Sequence, residues 1–158
     1  MRQKMMRYAL LALLVAACVN GDVIKARVNL GQYGWLDLTS LSDGGAHISA
    51  NLTNLPAGLH GFHVHQYGDI YSDGCASTGG HFNPAKMDHG APTDMVRHVG
   101  DLGNISADAD GTARFEMSDS MISLSGPNSI IGRAFVIHQG VDDLGRGIFH
   151  VKRPLNFS

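Results

Sequence analysis

The sequence predicts an all-β domain, an antiparallel sandwich or barrel, and three observations lead there. From Asp22 onward apolar residues recur at every second position, the repeat of a strand with one wet face. Turn signals interrupt these runs at short intervals: Ser42-Asp43-Gly44-Gly45, Leu55-Pro56-Ala57-Gly58, Asp108-Ala109-Asp110-Gly111 and Ser125-Gly126-Pro127-Asn128. Glycine, at 20 of 158 residues, is about twice as common as in an average chain, which favours tight turns over long helices. The length suits one domain with a short appendage. Charged residues make up 16%, Lys+Arg 12 against Asp+Glu 14, with no long like-charge run. That balance argues against a nucleic-acid footprint, a coiled coil or a disordered chain.

The first element is a leader. Arg2, Lys4 and Arg7 precede an apolar run from Ala9 to Val19, followed by polar Asn20-Gly21-Asp22. This is the layout of a secretory signal peptide over 1–21, and the run falls short of the roughly 20 residues that span a bilayer. Cleavage fits after Cys18 or after Gly21, and Val15-Ala16-Ala17-Cys18 also admits a lipoprotein reading. Without the leader, the expected product is a mildly acidic secreted domain with one cysteine, Cys75, and no membrane segment.

Strands are expected at 23–30, where Ile24, Ala26, Val28 and Leu30 alternate with Lys25, Arg27 and Asn29. Further runs lie at 35–41, 46–52, 59–65, 111–117 and 132–138. Residues 68–101 break this rhythm, being rich in Gly, Asp, Ser, Pro and His. A loop of that length inside a small domain is usually functional, and something other than an apolar core is expected to order it.

The histidines suggest what. Of nine in the chain, His60, His63, His65, His81, His89 and His98 crowd the loop and its border. His63 and His65 share one face of a strand end, with Phe62 and Val64 directed to the core. His81, His89, His98 and Asp101 lie within or at the end of the loop, and His138 ends a later strand out of phase with Phe135 and Ile137. Imidazoles suit copper and zinc, and a His/Asp tetrahedron suits zinc. Four histidines for one ion and three plus Asp101 for a second need one imidazole to bridge through both ring nitrogens. His60 reads as a hydrogen-bonded residue at the base of the loop, and His47 and His150 as surface residues. Glycosylation sequons occur at Asn51, Asn104 and Asn156, with Asn51 the best placed.

Four motifs in order, Gly61-Phe62-His63-Val64-His65, Gly80-His81-Phe82-Asn83-Pro84, Arg97-His98-Val99-Gly100-Asp101-Leu102-Gly103 and Val136-Ile137-His138-Gln139 with Asp142-Asp143-Leu144-Gly145, resemble the Cu/Zn superoxide dismutase family. The resemblance implies a flattened Greek-key β-barrel or sandwich with a long metal-binding loop over 22–147. It implies copper on His63, His65, His81 and His138, and zinc on His81, His89, His98 and Asp101, with His81 as the bridge. Asp142 would hydrogen-bond one copper histidine and one zinc histidine. The implied activity is dismutation of superoxide to O2 and hydrogen peroxide, superoxide alternately reducing and reoxidising copper while His81 takes up and returns a proton. A homodimer is the implied assembly.

Beyond Gly147 the resemblance stops. Where the family has a copper-side arginine, a cysteine that pairs with the loop cysteine and a final strand, residues 148–158 form a divergent tail whose Arg153 lies in an unrelated setting. A second reading therefore stands beside the enzyme: a secreted copper- and zinc-binding protein on the same scaffold without useful turnover.

Overall fold

The computed structural model describes residues 23–147, together with the backbone of 8–10. The rest of the expected leader, the tail at 148–158 and with it His150, Arg153 and Asn156 lie outside the described residues. Eight strands form two four-stranded antiparallel sheets. One is ordered β2 (Lys25–Asn29), β3 (Gly34–Ser40), β4 (Ala46–Leu52), β7 (Ala113–Asp119). The other is ordered β1 (Tyr8–Leu10), β8 (Phe135–Ile137), β5 (Gly58–Val64), β6 (Asp101–Ala107). From β2 onward the chain crosses between sheets after β4, after β6 and after β7, the interleaving of a Greek-key sandwich. Among the described residues no helix is long and apolar enough to cross a membrane.

The sheet β2-β3-β4-β7 follows the period-two pattern. Ala26, Val28, Leu36, Leu38, Ala46, Ile48, Ala50 and Leu52 enter the core, while Lys25, Arg27, His47 and Ser49 face outward. Asn51 also lies on that outward side, but its Oδ1 is buried without a hydrogen-bond partner. Phe62 joins the two sheets, stacked on Phe135 at 5.5 Å and edge-on to Phe115 at 5.6 Å.

The other sheet departs from the pattern. From His60 to Val64 every residue of β5 is buried, so both faces are covered. Phe62 and Val64 point into the core as expected, and the loop closes over the opposite face. Strand β6 has no counterpart among the runs assigned from the sequence, and the reason is a bulge. On β5 the register moves two residues, from Gly61 to His63, while on β6 it moves three, from Asn104 to Asp101. Gly103 absorbs the extra residue at φ +78. Leu102, Ile105 and Ala107 therefore all reach the core, and the expected alternation disappears. The run at 132–138 shortens to β8 because Gly132 takes φ +77 and the chain turns before Phe135.

Between β5 and β6 no regular element forms apart from a bridge between His65 and His81, as the composition of the loop predicts. The core helps to order this loop, contrary to expectation. Phe82 and Val99 belong to the core cluster, and Phe82 exchanges backbone bonds with Val64 and Gly100.

Candidate metal centre

The outer face of β5 is the floor of the site. His63 projects from it because its neighbours Phe62 and Val64 are committed to the core, and His65 follows where the strand ends. His138 is set just past β8 by donation of its N–H to the Gly61 carbonyl at 2.8 Å. Gly61 is required to be bare: a Cβ there would stand 3.1 Å from the His63 ring, 3.3 Å from Asp142 Cβ and 3.5 Å from His138 Cβ.

One ligand atom from each of His63, His65, His81 and His138 lies within 4.8 Å of the others. The first two of these rings are oriented from behind. The His63 Nε2–H donates to Asp142 Oδ2 at 2.9 Å, leaving Nδ1 as a lone pair. The His65 Nδ1–H donates to the Gly79 carbonyl at 2.8 Å, leaving Nε2. His60, hydrogen-bonded as expected, contacts the His138 carbonyl through Nδ1 at 2.9 Å and the Pro56 carbonyl through Nε2 at 2.7 Å. Burial pushes the His63 pKa down, and burial reinforced by His63, His65 and His81 pushes His138 down to about 3. Both rings are thus neutral near pH 7, the form that binds a metal.

A second group, His81, His89, His98 and Asp101, also converges within 4.8 Å. Asp101 is fully buried. Its Oδ1 receives His81 Nδ1 at 2.7 Å and His98 Nδ1 at 3.0 Å, and the two nitrogens are 3.3 Å apart. His89 Nδ1 pairs with Oδ2 at 2.9 Å. A tetrahedral zinc with bonds near 2.0 Å has ligand–ligand edges of about 3.3 Å, so these spacings are close to those of a zinc cage. Burial opposes the charge on Asp101, yet hydrogen bonds from His81, His89 and His98 together hold its carboxyl well below the usual range. The same bond to Asp101 raises His89 to about 9.

Asp142 joins the groups: Oδ2 meets His63 Nε2 at 2.9 Å and Oδ1 meets His89 Nε2 at 2.7 Å. Its own charge is favoured by these bonds and by the Leu144 N–H, against the cost of burial.

The donor set fits two ions. His63 Nδ1 and His138 Nε2 are buried without a hydrogen-bond partner, an arrangement that costs about 1–3 kcal/mol per polar group unless something pairs with it. His81 belongs to both groups, and with Nδ1 turned to Asp101 its Nε2 remains for the other.

All the residues expected from the sequence are therefore brought together, in the two groups anticipated. Several supporting residues carry no local signal. Arg97, buried, donates from Nη1 to the Asp101 carbonyl at 2.9 Å and from Nη2 to Asp119 at 2.5 Å. Thr78, also buried, lies with Oγ1 2.9 Å from His65 Nδ1. Their side-chain partners, Asp119 and His65, lie 22 and 13 residues away, and only a spatial neighbour identifies these pairings.

The family model described as copper/zinc superoxide dismutase matches residues 32–155. An extracellular superoxide dismutase [Cu-Zn] of Brugia pahangi is 60% identical over 101 residues, covering 64% of this chain and 50% of that protein. The chain thus spans about half the length of this curated relative. A crystal structure of the clock protein EA4 superposes with a TM-score of 0.70 at 41% identity, covering 93% of this chain and 85% of the other.

Proposed function

Because the chain belongs to the copper/zinc superoxide dismutase family, we propose that it dismutes superoxide outside the cell, two superoxide anions and two protons giving O2 and hydrogen peroxide. The observation that carries this reading is His81, the one histidine common to both groups. A zinc carrier has no use for the paired lone pairs of His63 and His138, and a simple copper carrier has no use for the Asp101 cage.

In this reading His63, His65, His81 and His138 hold copper, and His81, His89, His98 and Asp101 hold zinc. Bound copper supplies the one-electron redox chemistry, while zinc, enclosed by four protein ligands, fixes geometry and charge. His81 holds and releases a proton at Nε2, since Nδ1 is committed to the Asp101 side and keeps the ring in place. Asp142 keeps the protons of His63 and His89 on Nε2, so that each ring presents Nδ1 to its ion. The buried floor of Phe62 and Val64 excludes water from beneath the rings. Secretion is supported by the leader over 1–21 and by the extracellular relative.

The test is direct. The protein as secreted from a eukaryotic host, loaded with copper and zinc, should consume superoxide in stopped flow, and stoichiometric copper without consumption overturns the reading. His138→Ala should lose copper and keep zinc by elemental analysis. Equal loss of both metals overturns the ligand partition.

A further inference from the structure

Asn104 lies in β6 beyond Asp101 and belongs to neither ligand group. The bulge at Gly103 turns it to the same outer face as Asp101, and the register sets it opposite Gly61. Asp142 crosses above that bare glycine. There the Asn104 side chain meets the main chain of Asp142 twice: Nδ2 donates to the Asp142 carbonyl at 2.9 Å, and Oδ1 accepts the Asp142 N–H at 2.8 Å. A primary amide presents a donor and an acceptor in one plane, the complement of this main-chain pair. The loop uses the same grip elsewhere, where Asn83 holds both the N–H and the carbonyl of Met87.

The segment gripped in this way has no strand or helix of its own from His138 to Gly145. Besides the Asn104 pair, it is tied to β5 by the Gly61 N–H to the Gly140 carbonyl at 2.9 Å. A carboxylate that orients two rings at 2.7 and 2.9 Å must itself be immobile, and its backbone is fixed by Asn104.

We infer that Asn104 is a positioning residue of the metal centre: it latches Asp142 to the barrel and through it aims the metal-facing nitrogens of His63 and His89. This rests on the ligand partition proposed above. It has a consequence for modification, because Asn104-Ile105-Ser106 is also a glycosylation sequon. A glycan would attach to Nδ2, the atom that donates to Asp142, from a half-buried position on the sheet. The linked amide keeps one Nδ2 hydrogen, but it points away from Oδ1; the grip on the Asp142 carbonyl and N–H uses the Oδ1 side, where the sugar would stand, so latch and glycan exclude each other and in the folded, zinc-loaded chain Asn104 is bare.

The experiment compares the parent with Asn104→Ala and with Ser106→Ala, which removes the sequon at an exposed residue and leaves the latch. Each is titrated with a chromogenic zinc chelator, and each is loaded with cobalt(II) at the zinc site for its visible spectrum. Loss of a residue that orients metal ligands typically weakens binding about 10–100-fold. Asn104→Ala should give up zinc at about tenfold lower chelator and show an altered cobalt spectrum, while Ser106→Ala should match the parent. Identical curves and spectra for Asn104→Ala and the parent overturn the latch. If the alanine variant does not fold, Asn104→Asp, which keeps an acceptor for the N–H but has no donor for the carbonyl, is read by the same criteria. A parent that binds neither zinc nor cobalt refutes the ligand partition rather than the latch. On protein secreted from a eukaryotic host, a glycan at Asn104 together with full zinc also overturns it.

Discussion

The two sheets are built on different rules. In β2-β3-β4-β7 each strand spends one face on the core and leaves the other in water, so stability and surface alternate residue by residue. In β8-β5-β6 the core takes one face and the loop takes the other, so β5 is buried throughout its second half and β6 breaks step at Gly103. The first sheet supplies stability and reaches the site only through Asp119 at the end of β7, which holds Arg97. The second holds up the barrel and the proposed metal ligands with the same strands, and its buried polar groups are paired with one another or turned toward the two ligand groups.

The sharpest way to break this contrast is Asp101→Ala. Asp101 accepts contacts from His81 and His98 and the N–H groups of Gly90 and His98, all away from solvent. Removing one member of a buried charged set costs about 3–5 kcal/mol, and zinc should be lost as well. Denaturant unfolding and elemental analysis read both, and a variant that keeps zinc would show that the two functions of this sheet are separable.

Leu52→Ala tests the other side. Leu52 is fully buried at the end of β4, and its truncation should cost about 2–5 kcal/mol. Chelator titration should nevertheless give the parent's zinc affinity, since this sheet reaches the ligand groups only through Asp119, at the opposite end of β7 from Ala113, the partner of Leu52. A zinc affinity that falls in step with stability would mean that the sheets are coupled more tightly than their contacts indicate.

The smallest effect is one of pH on protein stripped of metal. His63 and His138 titrate below their ordinary value in the folded chain, the latter at about 3, so the unfolded chain binds protons first as pH falls below 6.5. Their contribution is present above 6.5 and is lost toward pH 3, and the lowered Asp101 and Asp142 add to the loss at the acid end. His89 behaves oppositely: raised to about 9, it contributes below 6.5 and its contribution is lost as pH rises through 9. Stability of the stripped chain should therefore peak near pH 6.5. A steady rise from pH 6.5 to 9 would show that His89 is not held by Asp101.

The same division explains what could be read in the sequence. Ala26, Val28, Ile48 and Ala50 announce their strands because nothing but the core and water acts on them. The clustered histidines are legible by residue type and spacing, and Asp142 by family resemblance. Strand β6 was not legible, because Gly103 inserts one residue and sends Leu102 and Ile105 to the same side. Phe82 and Val99 are isolated apolar residues in a polar stretch, so their anchoring of the loop has no periodic signature. Asn104 acts on a residue far along the chain, and a sequon was the only local mark it carried.

The bulge at Gly103 divides β6 into two reading frames. On its far side the inward letters are Ile105 and Ala107, and the outward ones are Asn104 and Ser106. On its near side the frame slips by one, so that Leu102 reads inward and Asp101 outward. Without the slip Asp101 would fall on an inward letter and place a carboxylate among the apolar side chains. The grammar of tolerated substitutions is thereby inverted within a single strand, and one glycine lets the same short word spell both an oily core and a proposed metal ligand.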